Sequence, residues 1–301
     1  MLTTVASVAR LIRRSKLAAK ASLTSFCAIS VLALPLPAVA ELKIESWTTP
    51  GGARVLFLES RVLPIVDVSV EFPAGSSRDK PGMGGLASMT LAMMRKGTRS
   101  LDENQISEQL AGIGARLSST FDPDRSGFAL RSLSDVDIRT QALGILREIL
   151  VSPSFPEAIL ERDKTRNIAF IEESQTRPNV IAAQTFQQEL FGAHPYGSIA
   201  SGNPESIAAL TRDDLLAFHR LFFVSDEAVV VIVGDVSRAH AQRIALQLTD
   251  GLPRGGETLP LLPEVPELET SAEVVIPHTA SQAHIRLGML GLRRGDPDYF
   301  A

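Results

Sequence analysis

At 301 residues, with 45 % hydrophobic and 21 % charged side chains, the chain is long enough for two domains and apolar enough to bury a core. That composition excludes a disordered or low-complexity protein. The formal net charge of −4, from 34 acidic and 30 basic residues, disfavours nucleic acid or an anionic membrane as partner.

The first 40 residues differ from the rest. Arg10, Arg13, Arg14, Lys16 and Lys20 form a basic stretch that contains no acid. An apolar run of 14 residues follows from Ala21 to about Leu34, and Pro35, Pro37 and Ala38-Val39-Ala40 supply a break and a small-residue cleavage pattern. Residues 1–40 therefore read as a secretory signal peptide cut before Glu41, which exports the chain to the periplasm or cell envelope. The apolar run is shorter than the ~20 residues that span a bilayer, so no transmembrane span is expected after cleavage. Cleavage leaves 25 basic against 34 acidic residues, a net charge of −9. It also removes Cys27, the single cysteine, so the mature chain can hold neither a disulfide nor a cysteine-based zinc site.

Residues 41–251 read as one domain. Arg54–Leu58 follows a Pro50-Gly51-Gly52 turn and is expected as a strand. In the next strand Val66, Val68, Val70 and Phe72 alternate with Asp67, Ser69 and Glu71, the period of a half-buried strand. A helix is expected from about Gly82 to Met94 and a short one from Asp102 to Ala111. Ala115–Phe121 and Gly127–Leu133 flank a turn at residues 122–126 and form a hairpin. Ser134 with Asp137 gives the spacing of a helix cap. The helix behind it carries Ile138, Ala142, Ile145 and Ile149 on one face and stops near Pro153. Pro156 opens a long helix reaching Leu190, with an interruption at Pro178. Thr211 with Asp214 repeats the cap spacing before Leu215–His219. Ala228–Val233 is an apolar strand closed by Gly234-Asp235, and Ser237 starts a last helix. The order gives an α+β fold in which helices cover a mainly antiparallel sheet. Pro253, Gly255, Gly256, Pro260, Pro263 and Pro266 make residues 252–268 an extended linker. Beyond it, Ala272–Ile276 and Ala283–Leu290 read as the first strands of a second domain, 269–301, that the sequence cuts short.

The segment Gly85-Leu86-Ala87-Ser88-Met89-Thr90-Leu91-Ala92-Met93-Met94-Arg95-Lys96-Gly97-Thr98 resembles the zinc helix of the insulinase/pitrilysin-type metallopeptidases, the inverzincins. In active members that helix reads G-L-A-H-x-x-E-H-x-x-x-K-G-T. Here Ser88 and Ala92 stand at the two histidine positions and Leu91 at the glutamate position. The resemblance extends through His194-Pro195-Tyr196-Gly197, Thr211–His219, Val231–Val236, and Gln282–Gly288 to Asp296-Pro297-Asp298-Tyr299. It implies a fold like one half of an insulinase or mitochondrial processing peptidase, followed by the start of a homologous second half.

Two imidazoles at i and i+4 share a helix face and can grip one Zn²⁺, with the carboxylate at i+3 placed to deprotonate the attacking water. Serine, alanine and leucine supply none of this. The family's further glutamate ligand maps onto Ala169, or Phe170 with a slip of one residue, while Glu172 and Glu173 are a turn away and read as a solvated helix face. The five histidines, His194, His219, His240, His278 and His284, show no paired ligand spacing and read as loop or surface residues. No G-x-S-x-G elbow surrounds Ser88, so it is not expected to act as a nucleophile.

No catalytic, cofactor or metal residue is therefore expected in this chain. The resemblance implies a non-catalytic subunit that pairs with a zinc-bearing homologue as a heterodimer, and binds and encloses peptide substrates for proteolysis, with zinc in the partner alone. The alternative is a stand-alone periplasmic peptide-binding or assembly protein with no role in hydrolysis.

Overall fold

The computed structural model describes residues 43–255 and 259–301; the signal peptide expected at 1–40 lies outside them, as do residues 256–258 of the linker. Six strands, β1 (Glu45–Thr48), β2 (Arg54–Glu59), β3 (Ile65–Phe72), β4 (Arg116–Phe121), β5 (Ser126–Leu133) and β6 (Val229–Gly234), form one sheet in the order β1-β2-β6-β3-β5-β4. Only the β2–β6 pairing is parallel; the other neighbours run antiparallel.

The alternation in β3 decides which face is covered. Val66, Val68, Val70 and Phe72 are buried, and Asp67, Ser69 and Glu71 are half-buried on the other side. The inward residues of β2, β3, β5 and β6 join the buried faces of the helices in a single hydrophobic cluster. These helices are α1 (Leu86–Met94), α2 (Glu103–Gly112), α3 (Val136–Val151), α4 (Glu157–Ser174), α5 (Pro178–Phe191), α6 (Pro204–Ala209), α7 (Arg212–Phe222) and α8 (Arg238–Thr249). α5 alone among the long helices buries no residue fully. The opposite sheet face shows Leu56, Leu58, Val231 and Val233, each half-buried.

The expected elements recur with local corrections. Asp102 with Gln105 and Thr211 with Asp214 form capping boxes at the starts of α2 and α7. α3 is capped by Asp135, not Ser134: its carboxylate accepts from the amides of Asp137 and Ile138, while the Ser134 hydroxyl donates to Asp235 at 2.8 Å. A carboxylate outcompetes a hydroxyl for two amide donors. α1 begins at Leu86, four residues later than expected, because Gly82 and Gly85 take left-handed φ values of 80° and 91°. A Cβ on Gly85 would also lie 2.5 Å from Ile207. The interruption expected at Pro178 is present: the stretch after Pro156 forms two helices, broken at residues 175–177.

Two elements carried no clear sequence signal. β1 is four residues long, and its Trp47 stacks under the Arg238 guanidinium at 3.3 Å. α6 has six residues and is capped by Asn203 with Ser206. Conversely, Ala272–Ile276 and Ala283–Leu290 form no strands and run as exposed chain. A strand forms only beside a partner ladder, and among the described residues none lies next to them. The linker is tied to the domain at several points, among them the Gly255 amide donating to Asp226 at 2.8 Å, Arg78 donating to the Pro260 carbonyl at 2.5 Å and His194 Nε2 contacting the Pro263 carbonyl at 2.9 Å.

Phe128 of β5 is fully buried and sits opposite Val70 of β3. Truncation to alanine leaves a cavity in the middle of the sheet's covered face. Chemical denaturation of Phe128→Ala is expected to show a loss of about 3–5 kcal/mol, with the far-ultraviolet dichroism of the folded state unchanged.

Candidate functional site

α1 is held at both ends. Its first residues are served from outside the helix, because Gly85 offers no side chain to cap them. The Asp79 carboxylate accepts from the amides of Gly85 at 2.8 Å and Ala87 at 2.7 Å. Burial pushes the Asp79 carboxyl from its ordinary 3.8 up to about 6, with the two amide donors opposing that rise. At the other end Lys96 Nζ donates to Glu103 at 2.5 Å and lies 3.9 Å from Asp163. Asp163, only 5 % exposed, also receives Arg162 at 2.9 Å and Arg166 at 3.1 Å. The Lys96 hydrogen bond holds the Glu103 carboxyl below its usual range, against the opposing effect of burial. Thr98 then donates to Glu148 of α3 at 2.8 Å. The Lys-Gly-Thr tail of the motif thus ties α1 to α2, α3 and α4.

Between these anchors the motif has no metal chemistry. Ser88 is half-buried and its hydroxyl donates to the Gly85 carbonyl at 3.0 Å, a local helix bond. Ala92 presents a methyl group to solvent, one turn along the same face. Leu91 is 3 % exposed and belongs to the hydrophobic core. On α4, Ala169 is exposed and Phe170 is 55 % exposed beneath the Arg177 guanidinium. Glu172 is exposed, and the exposed Glu173 pairs with Arg177 at 3.0 Å. Zinc does not fit this set of residues: two ligand positions carry no donor stronger than a hydroxyl, the third carries none, and the base position points into the core. Among the described residues, no three His, Cys, Asp or Glu side chains gather closely enough to hold a metal ion.

Two histidines depart from the loop or surface placement expected of them. His219 is 5 % exposed, bonds the Leu150 carbonyl at 2.9 Å and stacks on Phe223. Burial lowers its pKa. Its position on α7, in register with the buried Leu215, Phe218 and Phe222, was the available signal. His194 is 6 % exposed; its Nδ1 accepts from the Tyr196 amide at 3.1 Å, which leaves Nε2 to donate to Pro263. Both rings serve the fold. Sequence reasoning missed Asp79, whose only cue is an acid standing before the Pro81-Gly82 turn.

Residues 54–201 match the family model described as insulinase (peptidase family M16), and residues 209–301 match the model of the peptidase M16 inactive domain. A Helicobacter pylori protein named non-peptidase homolog YmxG is 27 % identical over 237 residues, 78 % of this chain and 53 % of that one. The mitochondrial-processing peptidase subunit beta of Neurospora crassa is 21 % identical over 262 residues, 86 % of this chain and 55 % of that one. A crystal structure of a peptidase M16 inactive domain from Pseudomonas fluorescens superposes with a TM-score of 0.71 at 35 % identity, covering 75 % of this chain and 54 % of that one. The first half of the periplasmic protease PqqL from Escherichia coli shares the fold, with a TM-score of 0.66 at 16 % identity, covering 73 % of this chain and 49 % of that one. The chain spans about half the length of the curated relatives it matches.

The Asp79 cap has a pH signature. Its carboxyl titrates near 6 in the folded state and near 3.8 when unfolded, so the protonated form favours folding. That contribution is complete below about pH 3.8 and is lost as pH rises through 6. Denaturation midpoints measured from pH 4 to 7 should therefore fall in the wild type relative to Asp79→Asn, by at most ~3 kcal/mol in stability.

Proposed function

This chain belongs to the insulinase-type peptidase family M16, and from that premise we propose that it is the non-catalytic subunit of a two-subunit peptidase. It pairs with a zinc-bearing homologue and helps bind and enclose peptide substrates, while hydrolysis takes place on the partner. The observation that carries this reading is the motif helix itself. Its anchors at Asp79, Lys96 and Thr98 are in place, and Ser88, Leu91 and Ala92 stand where the metal ligands and the base would be. A chain that kept only the fold for its stability would have no need of a partner; a chain that closes a chamber has to keep its shape to match one. Peptide hydrolysis uses one metal centre, and a second half without metal supplies binding energy and exclusion of water.

Three further statements belong to the same proposal. The segment 1–40 directs export, so the complex works in the cell envelope. Residues 269–301 open a second homologous domain, whose strands pair once the rest of that domain lies beside them. Zinc is carried by the partner and not by this chain. Among the described residues no helix is long and apolar enough to cross a membrane.

Affinity purification of the full-length tagged protein from envelope extract, followed by mass spectrometry, tests this reading. A near-stoichiometric homologue with an intact H-x-x-E-H helix is the expected result. Recovery of the protein alone, at native expression level and without loss of the tag, contradicts the subunit reading and favours a solitary peptide-binding or assembly protein.

A further inference from the structure

The uncovered face of the sheet and helix α2 line a groove of about 790 Å³. None of Ser88, Leu91, Ala92 or Ala169 borders it, so it is separate from the degenerate motif positions. Its apolar lining comes from Val231 and Val233 of β6, Ala129 of β5, and Ile106 and Leu110 of α2. Its charged lining is unbalanced, with Arg95, Lys96, Arg116 and Arg131 set against Asp67 and Glu103.

Both carboxylates are already engaged. Asp67 takes Arg131 at two points, 2.7 and 2.8 Å, and Glu103 takes Lys96 and Arg162. Arg116 and Arg95 are exposed and form no ion pair among the described residues. Arg116 also stands directly opposite Arg131 in the β4–β5 register. Arg131 is neutralised by Asp67, so of the facing pair it is the exposed Arg116 guanidinium that can meet an incoming anion. The expected mature chain is acidic overall, so this excess of positive charge is a local feature of the groove.

We infer that this groove binds an acidic segment of a polypeptide, with an aspartate or glutamate carboxylate at Arg116 and a neighbouring aliphatic side chain against Val231, Val233 and Leu110. Arg95 adds to the positive field at the rim. A guanidinium meets a carboxylate in a two-point, directional contact, which suits recognition of a side chain and not of diffuse charge. The inference rests on the reading of this chain as a peptide-binding subunit and adds which peptides it prefers.

The test is fluorescence anisotropy on the full-length protein with two labelled peptides of equal length, one centred on Glu-Leu-Glu and the other on Gln-Leu-Gln. The glutamate peptide should bind about tenfold tighter at low salt, with the advantage shrinking as salt is raised. Arg116→Glu should abolish that preference while leaving the affinity for the glutamine peptide unchanged, a result that general damage to the fold would not give. Arg95→Glu, on a separate element, should reduce the preference independently. Equal binding of the two peptides by the wild type, or a preference that survives both substitutions, overturns the inference and leaves the peptide-binding reading standing. Failure of both peptides to bind sinks the two together.

Discussion

The Asp79 carboxylate, set against the first amides of α1, is the contact on which the rest of the site depends. A helix that starts at a left-handed glycine has no cap of its own, and its unpaired amides need an acceptor. Asp79 reaches two of them from the preceding loop and places a negative charge where the helix dipole favours it. Lys96 fixes the other end of the helix against Glu103 and Asp163. With both ends tied, the rotation of α1 about its axis is set, and that rotation decides which residues face outward. Ser88 and Ala92 face out and Leu91 faces in, so the three side chains at these positions leave the helix without metal ligands or a base.

The inward turn of Leu91 has an energetic consequence. A glutamate in that environment would either ionise in a nearly dry core, at a cost of several kcal/mol, or stay protonated. A leucine there contributes on the order of 2 kcal/mol of favourable burial. Leucine at this position therefore adds to the core. Asp79 differs, because its carboxyl is held in a partly dry site against two amides of α1 and serves the frame of the helix.

Much of this was legible from the sequence. The period-two run in β3, the hairpin of β4 and β5, and the spacing of Thr211 with Asp214 all act locally, so pattern alone located them. What sequence reading missed depends on distant neighbours. Asp135 in place of Ser134 as the α3 cap follows from Ser134 being drawn to Asp235, about a hundred positions away. β1 is too short to show a period, and its place is set by β2 and by Arg238 over Trp47. Residues 272–276 and 283–290 read as strands but form none, because a ladder needs a neighbour that local sequence cannot supply. At the site, the substituted positions were readable from motif spacing, whereas the roles of Asp79 and of the buried His219 required the packing to be seen.

The helix α1 has the frame of a zinc helix without residues able to hold zinc. Elemental analysis of the purified full-length protein, after exposure to zinc and exhaustive dialysis, should find no zinc retained by the isolated chain. One tightly held zinc per chain would contradict it, because Ser88, Leu91, Ala92 and Ala169 would then not be the whole of the matter.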